Sequence, residues 1–447
     1  MKVNVISRKL IKPSTPTPQN LKKCQLSFLD EISPPWNVSV ILFYPPNPNP
    51  KPILIAHFED SLAKILPQFY PFAGRYNKKD DHKVIDCNDE GAEFVEAEAT
   101  EVEMMDFIKN SKNDRCFLNN NLLSRQPYYE ADKPTDPLLS IQITEFKSCG
   151  GLAISIGVSH KIADASSVGT FIAALSDIAN TTCNPADDQR SSKIIIPSFD
   201  SRMLLPGKIN VSKINVSNDY ELPKNIVVKR LYFNKEAISS LRSKLSRDQG
   251  RFLSRVRLVS AVIAKALIGV DRAKHGKSRS CFIVQSVDMR GRTIPPLPKH
   301  SCGNLVLQSI TETNNEDKNN IGLHELVRLI GDSIDKTITD CAKLLSIGED
   351  ERKDFIIYPM AKSLKRLLSG EISYAMWFSD WSKFGFYEAD FGWGKPVWAS
   401  IGTFPSQNLT LLMSNNEGDG IEAWVHLNQD DMPYFDQDEE IKLFTLL

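Results

Sequence analysis

No run in this chain of 447 residues approaches the about 18 consecutive apolar residues that a membrane-spanning helix needs. The amino terminus, Met1-Lys2-Val3-Asn4-Val5, carries charge without the apolar stretch of a secretory signal. A membrane span is therefore not expected, and the cytoplasm is the expected location. An excess of one charge is missing as well: 54 Lys and Arg stand against 55 Asp and Glu, intermixed, for a formal net charge of -1. Without a basic patch, neither nucleic acid nor an anionic membrane surface is an expected partner. Cysteine is sparse, at 24, 87, 116, 149, 183, 281, 302 and 341, and no two form Cys-x-x-Cys, so reduced thiols are expected rather than a disulfide framework. Histidines at 57, 82, 160, 275, 300, 324 and 426 include no His-x-x-x-His or His-Glu-x-x-His pair, and no metal is expected. What is there is an ordinary globular composition, 41% hydrophobic and 24% charged, long enough for two domains and suited to small-molecule chemistry.

Along the first half, alternating apolar residues predict strands at 38–44, 83–86, 93–96, 138–145 and 152–159, the last two joined at Cys149-Gly150-Gly151. Leu54, Phe58, Leu62 and Ile65 recur at helical spacing and predict a helix over 53–66. Further helices are predicted over 102–109 and through Val168, Phe171, Ile172, Leu175 and Ile178. Between 183 and 223 periodicity weakens while Asn, Ser, Asp and Pro accumulate, as a crossover requires. The second half restarts the alternation, with strands at 227–233, 281–287, 409–413 and 421–427, and a turn at 415–420 between the last two. Helices are predicted from Asn234, over 256–270 and over 323–338. The expected class is α/β: two similar mixed-sheet domains, 1–195 and 224–447, joined by a linker at 196–223.

The best-placed polar cluster is Ser159-His160-Lys161-Ile162-Ala163-Asp164, where strand alternation gives way to a helical pattern. A neutral imidazole titrates near working pH and can take a proton from an alcohol or amine. His160 also shares the apolar parity of Leu152, Ile154, Ile156 and Val158, where a histidine is often a hydrogen-bonded core residue. The segment alone leaves both roles open. A second cluster, Asp390-Phe391-Gly392-Trp393-Gly394, begins like the metal-binding loop of protein kinases, but no His-Arg-Asp loop, Gly-rich phosphate loop or Val-Ala-Ile-Lys strand accompanies it. Kinase chemistry is excluded, and the glycines flanking Trp393 predict a tight turn that packs an indole, a structural role.

Together the two clusters, half a chain apart, resemble the signatures of the BAHD acyltransferases, a plant family that moves acyl groups from coenzyme A to alcohols or amines. The resemblance spans nearly the whole sequence. It is carried also by Leu26-Ser27-Phe28-Leu29-Asp30, by Phe69-Tyr70-Pro71-Phe72-Ala73-Gly74-Arg75, and by Asp288-Met289-Arg290 with Gly303-Asn304. Within the family the chain is most similar to the O-acetyltransferases of alkaloid and terpenoid metabolism.

This resemblance implies a chloramphenicol acetyltransferase-like fold with an active-site channel between the two domains. It implies an acyl-CoA co-substrate, a small-molecule alcohol acceptor, no bound cofactor and a monomer. His160 is then the general base in a ternary complex, and Asp164 turns away from substrate to pair with Arg290 as support for the loop. Ser379 and Trp381, where the family tends to carry Thr-x-Trp, are either oxyanion donors or an exposed serine beside a packed tryptophan. Coenzyme A contacts fall on Ser254, Arg255, Ser260 and Asn304, with a solvated surface role as the alternative for Arg255. The acceptor pocket falls on Trp36, Asn37, Phe378 and Thr403. Acetyl is the implied donor; a malonyl or larger acyl group, or a silent homologue that binds a coenzyme A ester without turnover, are the alternatives. Ser301-Cys302-Gly303-Asn304 departs from the Tyr-Phe-Gly-Asn-Cys signature associated with anthocyanin malonyl transfer, which argues against a flavonoid glycoside acceptor. Ala264 stands where many relatives have tryptophan, which implies looser packing or a wider coenzyme cavity.

Overall fold

The computed structural model describes residues 1–445 apart from 50, 78–83, 114–119, 126–134, 184–194, 207–224, 246–252 and 314–320. The first half runs β1 (Lys2–Ile11), β2 (Lys23–Gln25), α1 (Phe28–Ile32), β3 (Asn37–Tyr44), α2 (Lys51–Ile65), β4 (Arg75–Asn77), β5 (Val84–Asp86) and β6 (Ala92–Thr100). It continues through α3 (Met104–Asn113), β7 (Leu139–Phe146), β8 (Leu152–Ser159), α4 (Ala165–Cys183) and the short α5 (Ser201–Leu204). The second half runs β9 (Ile226–Phe233), α6 (Lys235–Leu245), α7 (Arg255–His275), β10 (Cys281–Asp288), β11 (Val306–Thr313), α8 (Leu323–Lys343) and α9 (Glu349–Leu368). It continues with β12 (Tyr374–Asp380), β13 (Trp398–Ile401), β14 (Leu409–Ser414) and β15 (Ile421–Asn428) and closes with the short helices α10 (Met432–Phe435) and α11 (Glu439–Phe444).

Two six-stranded mixed sheets result, ordered β1-β6-β7-β8-β3-β13 and β11-β10-β12-β14-β15-β9, with β2-β5-β4 as a small third sheet. This is the expected α/β architecture of two mixed sheets. Every residue of β3 and β8 is buried, which explains their dense apolar runs. Leu54, Phe58, Leu62 and Ile65 of α2 are buried in the first core, as their spacing predicts. Helix α7 covers the second sheet with Leu258, Val259, Val262, Ile263, Ala266 and Leu267. Ala264 is fully buried in that core, so packing rather than a coenzyme cavity meets its small side chain.

The expected plan lacks β11, β12 and α9, and three further features depart from it. Strand β1 carries no usable alternation because most of its residues are exposed; it is a sheet edge, and its lysines, Arg8 and a register shift between Val5 and Ser7 discourage further pairing. Strand β13 belongs by position to the second half but pairs with β3, Trp398 opposite Phe43 and Ile401 opposite Val40, so a division at 224 separates the chain and not the sheets. Within the expected linker, the Ser198 N–H donates to the His300 carbonyl at 3.1 Å and the Cys302 N–H to the Ser198 carbonyl at 2.6 Å, docking this stretch onto the 300–303 segment. Residues 207–223 of that linker lie outside the described residues.

His426 on β15 is fully buried. Its Nε2 accepts the Phe404 N–H at 3.1 Å, which leaves Nδ1 to carry the proton and donate to the Leu409 carbonyl at 3.1 Å. Burial pushes its pKa down to about 4. An unfolded histidine titrates near 6.5, so as pH falls from about 6.5 toward 4 the unfolded chain takes a proton that the folded one refuses, removing about 3 kcal/mol of stability. The expected result is a urea midpoint that declines over this window in the parent and much less steeply in His426→Asn; equal slopes would assign the decline elsewhere.

Candidate active site

Strand β8 ends at Ser159 and α4 begins at Ala165, so residues 160–164 form the turn between an interior strand and the helix that follows. Both main-chain groups of His160 are held: its N–H donates to the Trp36 carbonyl at 2.9 Å, and its carbonyl accepts from Asn304 Nδ2 at 2.6 Å. The ring is less constrained. Its Nδ1 is buried and makes no hydrogen bond of good geometry among the described residues. Burial lowers the imidazole pKa below the ordinary histidine value, against the opposing pull of Asp164. A neutral imidazole is therefore the resting form near pH 7.

Asp164 caps α4, accepting the Ser167 N–H at 2.9 Å and the Ser167 hydroxyl at 2.8 Å. Arg290 meets it with both terminal nitrogens, at 2.9 and 3.1 Å, and the Leu305 N–H adds a further bond at 3.1 Å. Burial alone would raise the Asp164 carboxyl, but Arg290 and these donors hold it below the usual carboxylate range. Arg290 also donates to the Ser301 carbonyl at 2.7 Å, the Gly303 carbonyl at 3.1 Å and Asp288 at 2.9 Å. The pairing expected from the sequence is thus present, and every Asp164 bond named here runs to a group other than the imidazole.

Asn304 departs from its expected place. Its side-chain amide donates to Asp30 at 2.9 Å as well as to His160, and its N–H donates to Asp30 at 2.8 Å, so it braces the histidine turn rather than turning toward coenzyme A. Asp30 is the residue that sequence reading missed. It is 3% exposed, and burial raises its carboxyl above the usual value. The available signal was Ser27-x-x-Asp30, a capping-box spacing, and that reciprocal cap does form at α1. Beside it Gly303 sits at φ 126°, where an added Cβ would lie 2.5 Å from Ser201 Oγ, so only glycine fits.

Ser379 lies near the end of β12, and Trp381, the residue after the strand, packs into the first core. The Trp381 indole N–H donates to Ser379 Oγ at 3.0 Å. Trp381 is therefore already engaged, and Ser379 is the one that keeps a proton to donate. Phe404 stands edge-on between Trp36 and Trp381, with ring centroids 6.4 and 6.1 Å away, which links the β12 pair to the segment that holds the His160 N–H. Asn37 at the start of β3 pairs with Ser159, and the Thr403 N–H donates to Asn120 at 3.1 Å, so both lie in this neighbourhood's framework. Phe378 does not: strand alternation turns it to the opposite face, 1% exposed within the second core, which rules it out as an acceptor-pocket wall beside Ser379.

Ser260 also fails its expected place, being fully buried on α7 within the second core, where no coenzyme can reach it. Ser254 caps α7 by accepting the Arg257 N–H at 3.3 Å. Arg255 is a bound side chain rather than a solvated one, donating to the Gly418 carbonyl and to Ser414 Oγ. Farther off, Asp390 accepts the N–H groups of Gly392 and Gly394, each at 2.9 Å, and these glycines have φ of 95° and 101°. The turn seats Phe391 against Phe58 at 5.0 Å and Tyr44 at 5.8 Å, with Trp393 at 6.2 Å from Phe58. It pins the segment before β13 onto the first core.

A profile of the family described as the Transferase family matches residues 1–442. A pelargonidin 3-O-(6-caffeoylglucoside) 5-O-(6-O-malonylglucoside) 4'''-malonyltransferase of Salvia splendens is 44% identical, over 99% of this chain and 100% of its own. Vinorine synthase of Rauvolfia serpentina is 35% identical over 96% of this chain and 94% of its own. Salutaridinol 7-O-acetyltransferase of Papaver somniferum is 31% identical over 97% and 96%. The crystal structure of vinorine synthase superposes with a TM-score of 0.79 at 32% identity, covering 99% of this chain and 98% of that one. Shared over its whole length with these enzymes, in sequence and in fold, the chain belongs to the BAHD acyltransferase family.

Proposed function

We propose that this enzyme transfers an acetyl group from acetyl-CoA to a hydroxyl of a specialised plant metabolite, with His160 as general base in a ternary complex. The buried Asp164–Arg290 pair that locks the turn presenting the His160 ring carries the reading, and burial, which lowers the imidazole pKa, suits that ring to act as a base. In the step so catalysed, His160 takes the hydroxyl proton as the oxygen attacks the thioester carbonyl. The tetrahedral intermediate then expels the thiolate, which regains the proton from the imidazolium. Ser379, its oxygen already accepting from Trp381, donates its proton toward the developing oxyanion. Asp164 and Arg290 support the turn, and the Asp390 to Gly394 turn supports the fold around it.

Ser254 and Arg255, at the start of α7 and against the 415–420 turn, are the candidates for coenzyme A phosphates, where helix-start N–H groups favour anions. Trp36, Asn37 and Thr403 are the candidates for the acceptor side. The two lobes correspond to 1–195 and 224–447 joined through 196–223, with β13 lent to the first. A cytoplasmic monomer suits this reading: among the described residues no helix is long and apolar enough to cross a membrane, and one chain supplies every group named.

Acetyl is favoured because a malonyl carboxylate needs a cation, and the buried cations at the motif, Lys161 and Arg290, are already engaged. The Salvia relative is named a malonyltransferase, so malonyl is the rival donor that the assay must separate from acetyl. The test is an assay of acetyl-CoA and malonyl-CoA with a panel of alcohols, read by free thiol and product mass. Acetyl transfer is expected to dominate, and Ser379→Ala to lower kcat about 10²-fold. Dominant malonyl transfer would overturn the donor assignment, and an unchanged kcat would remove Ser379 from the mechanism.

A further inference from the structure

Lys161 stands between the two principal residues of the motif and has no task in the scheme above. Its side chain is charged, yet the residue is only 8% exposed. The ammonium donates to the Glu31 carbonyl at 3.0 Å and to the Ser33 carbonyl. These are acceptors at the end of α1, where the last turn of a helix has carbonyls without intrahelical partners. At the other end of α1, Asp30 takes the Ser27 N–H at 2.9 Å and both donors of Asn304. Asn304 in turn holds the His160 carbonyl. The bonds close a ring: His160 carbonyl, Asn304, Asp30, α1, the carbonyls of 31 and 33, Lys161, and back through one peptide bond. Trp36, four residues beyond α1, takes the His160 N–H, so the same stretch grips the histidine from both sides.

We propose that Lys161 is a positioning residue for acyl transfer: seated on the closing carbonyls of α1, its ammonium completes the ring that fixes the peptide planes flanking His160, and with them the direction of the imidazole. The inference rests on His160 being the base. The ring explains why a five-residue helix is so heavily anchored, capped through Asp30 at one end and met by an ammonium at the other. The charge matters besides the geometry. The charged side chains bonded into this turn and its ring are Asp164, Arg290, Asp288, Asp30 and Lys161. Of these, Asp164 favours the imidazolium and Lys161 disfavours it.

Lys161→Met keeps the length of the side chain and removes its charge and donors. Its kcat is expected to fall about 10- to 100-fold, in line with the cost of a small misplacement of a catalytic group, while KM for acyl-CoA stays within about twofold. The acid limb of its kcat/KM profile should move to higher pH, since a cation near the base is gone. Lys161→Arg, which keeps the charge, should leave that limb in place. Asn304→Ala opens the ring at a different bond and should reproduce the kcat loss; it decides the matter if Lys161→Met does not fold. A wild-type kcat and acid limb in a folded ring variant, beside an inactive His160→Ala, would overturn the positioning role alone. Turnover retained by His160→Ala would instead overturn the assignment of the base.

Discussion

His160→Ala is expected to lower kcat about 10³-fold, the range a positioned acid–base group supplies, with unfolding shifted by less than about 2 °C. The two effects separate because both anchors of residue 160 are main-chain groups, the N–H to Trp36 and the carbonyl from Asn304, and alanine retains them. The ring Nδ1 has no partner of good geometry to strand. In the parent enzyme, burial holds the imidazole below its ordinary pKa. A base must be neutral to act, so activity should be lost only as pH falls through that lowered value, placing the acid limb below about 6.5. An acid limb well above 6.5, or substantial turnover in the alanine variant, would refute His160 as the base.

Asp164→Ala is expected to act in the opposite way, with a loss of about 3–5 kcal/mol of stability and activity falling with the folded fraction. Its removal strands Arg290, whose side chain is 3% exposed, and takes the cap from α4. Asp288, also at 2.9 Å from Arg290, softens the loss, which places the expectation toward the lower end of the range. The sign with pH follows from the direction of the shift. A carboxyl held below its unfolded value contributes stability above about pH 4, and that contribution disappears as pH falls through the folded value. Asp164→Asn should therefore be less stable than the parent at neutral pH and converge on it in strong acid. This window lies below the one set by His426, so urea titrations can tell them apart. A parent-like urea midpoint for Asp164→Ala together with a collapsed kcat would make the carboxylate a participant in the chemistry rather than a brace.

Much of the site was legible in local patterns. Apolar alternation ending at Ser159 placed His160 on a strand-to-helix turn, and glycines on either side of Trp393 marked a tight turn that does take positive φ. Short windows do not fix which face a side chain takes. Ser260 follows Ser254 and Arg255 by only a turn or so, yet α7 is buried almost all round between Leu258 and Ile268, so no polar face exists there. Phe378 and Ser379 are adjacent on β12 and so point to opposite sides, which puts Phe378 in the second core and out of the expected acceptor pocket. Asn304 is placed by Asp30, which lies 274 residues away, beyond the reach of any periodicity.

By itself, then, the sequence determined the α/β class, the strands of the first sheet's interior, the turn that carries His160 and the family to which the chain belongs, but not β12 at the middle of the second sheet. All of these are written in short windows, where period, turn residues and motif spacing act locally. The tertiary structure decided which side chains meet: Asp164 with Arg290, Trp381 with Ser379, β13 with β3, and Lys161 with the end of α1. These pairings depend on how one sheet lies against the other and on which buried polar groups are left needing a partner. That is a condition on the folded whole, because a buried donor or charge selects its partner by position in space and not by distance along the chain.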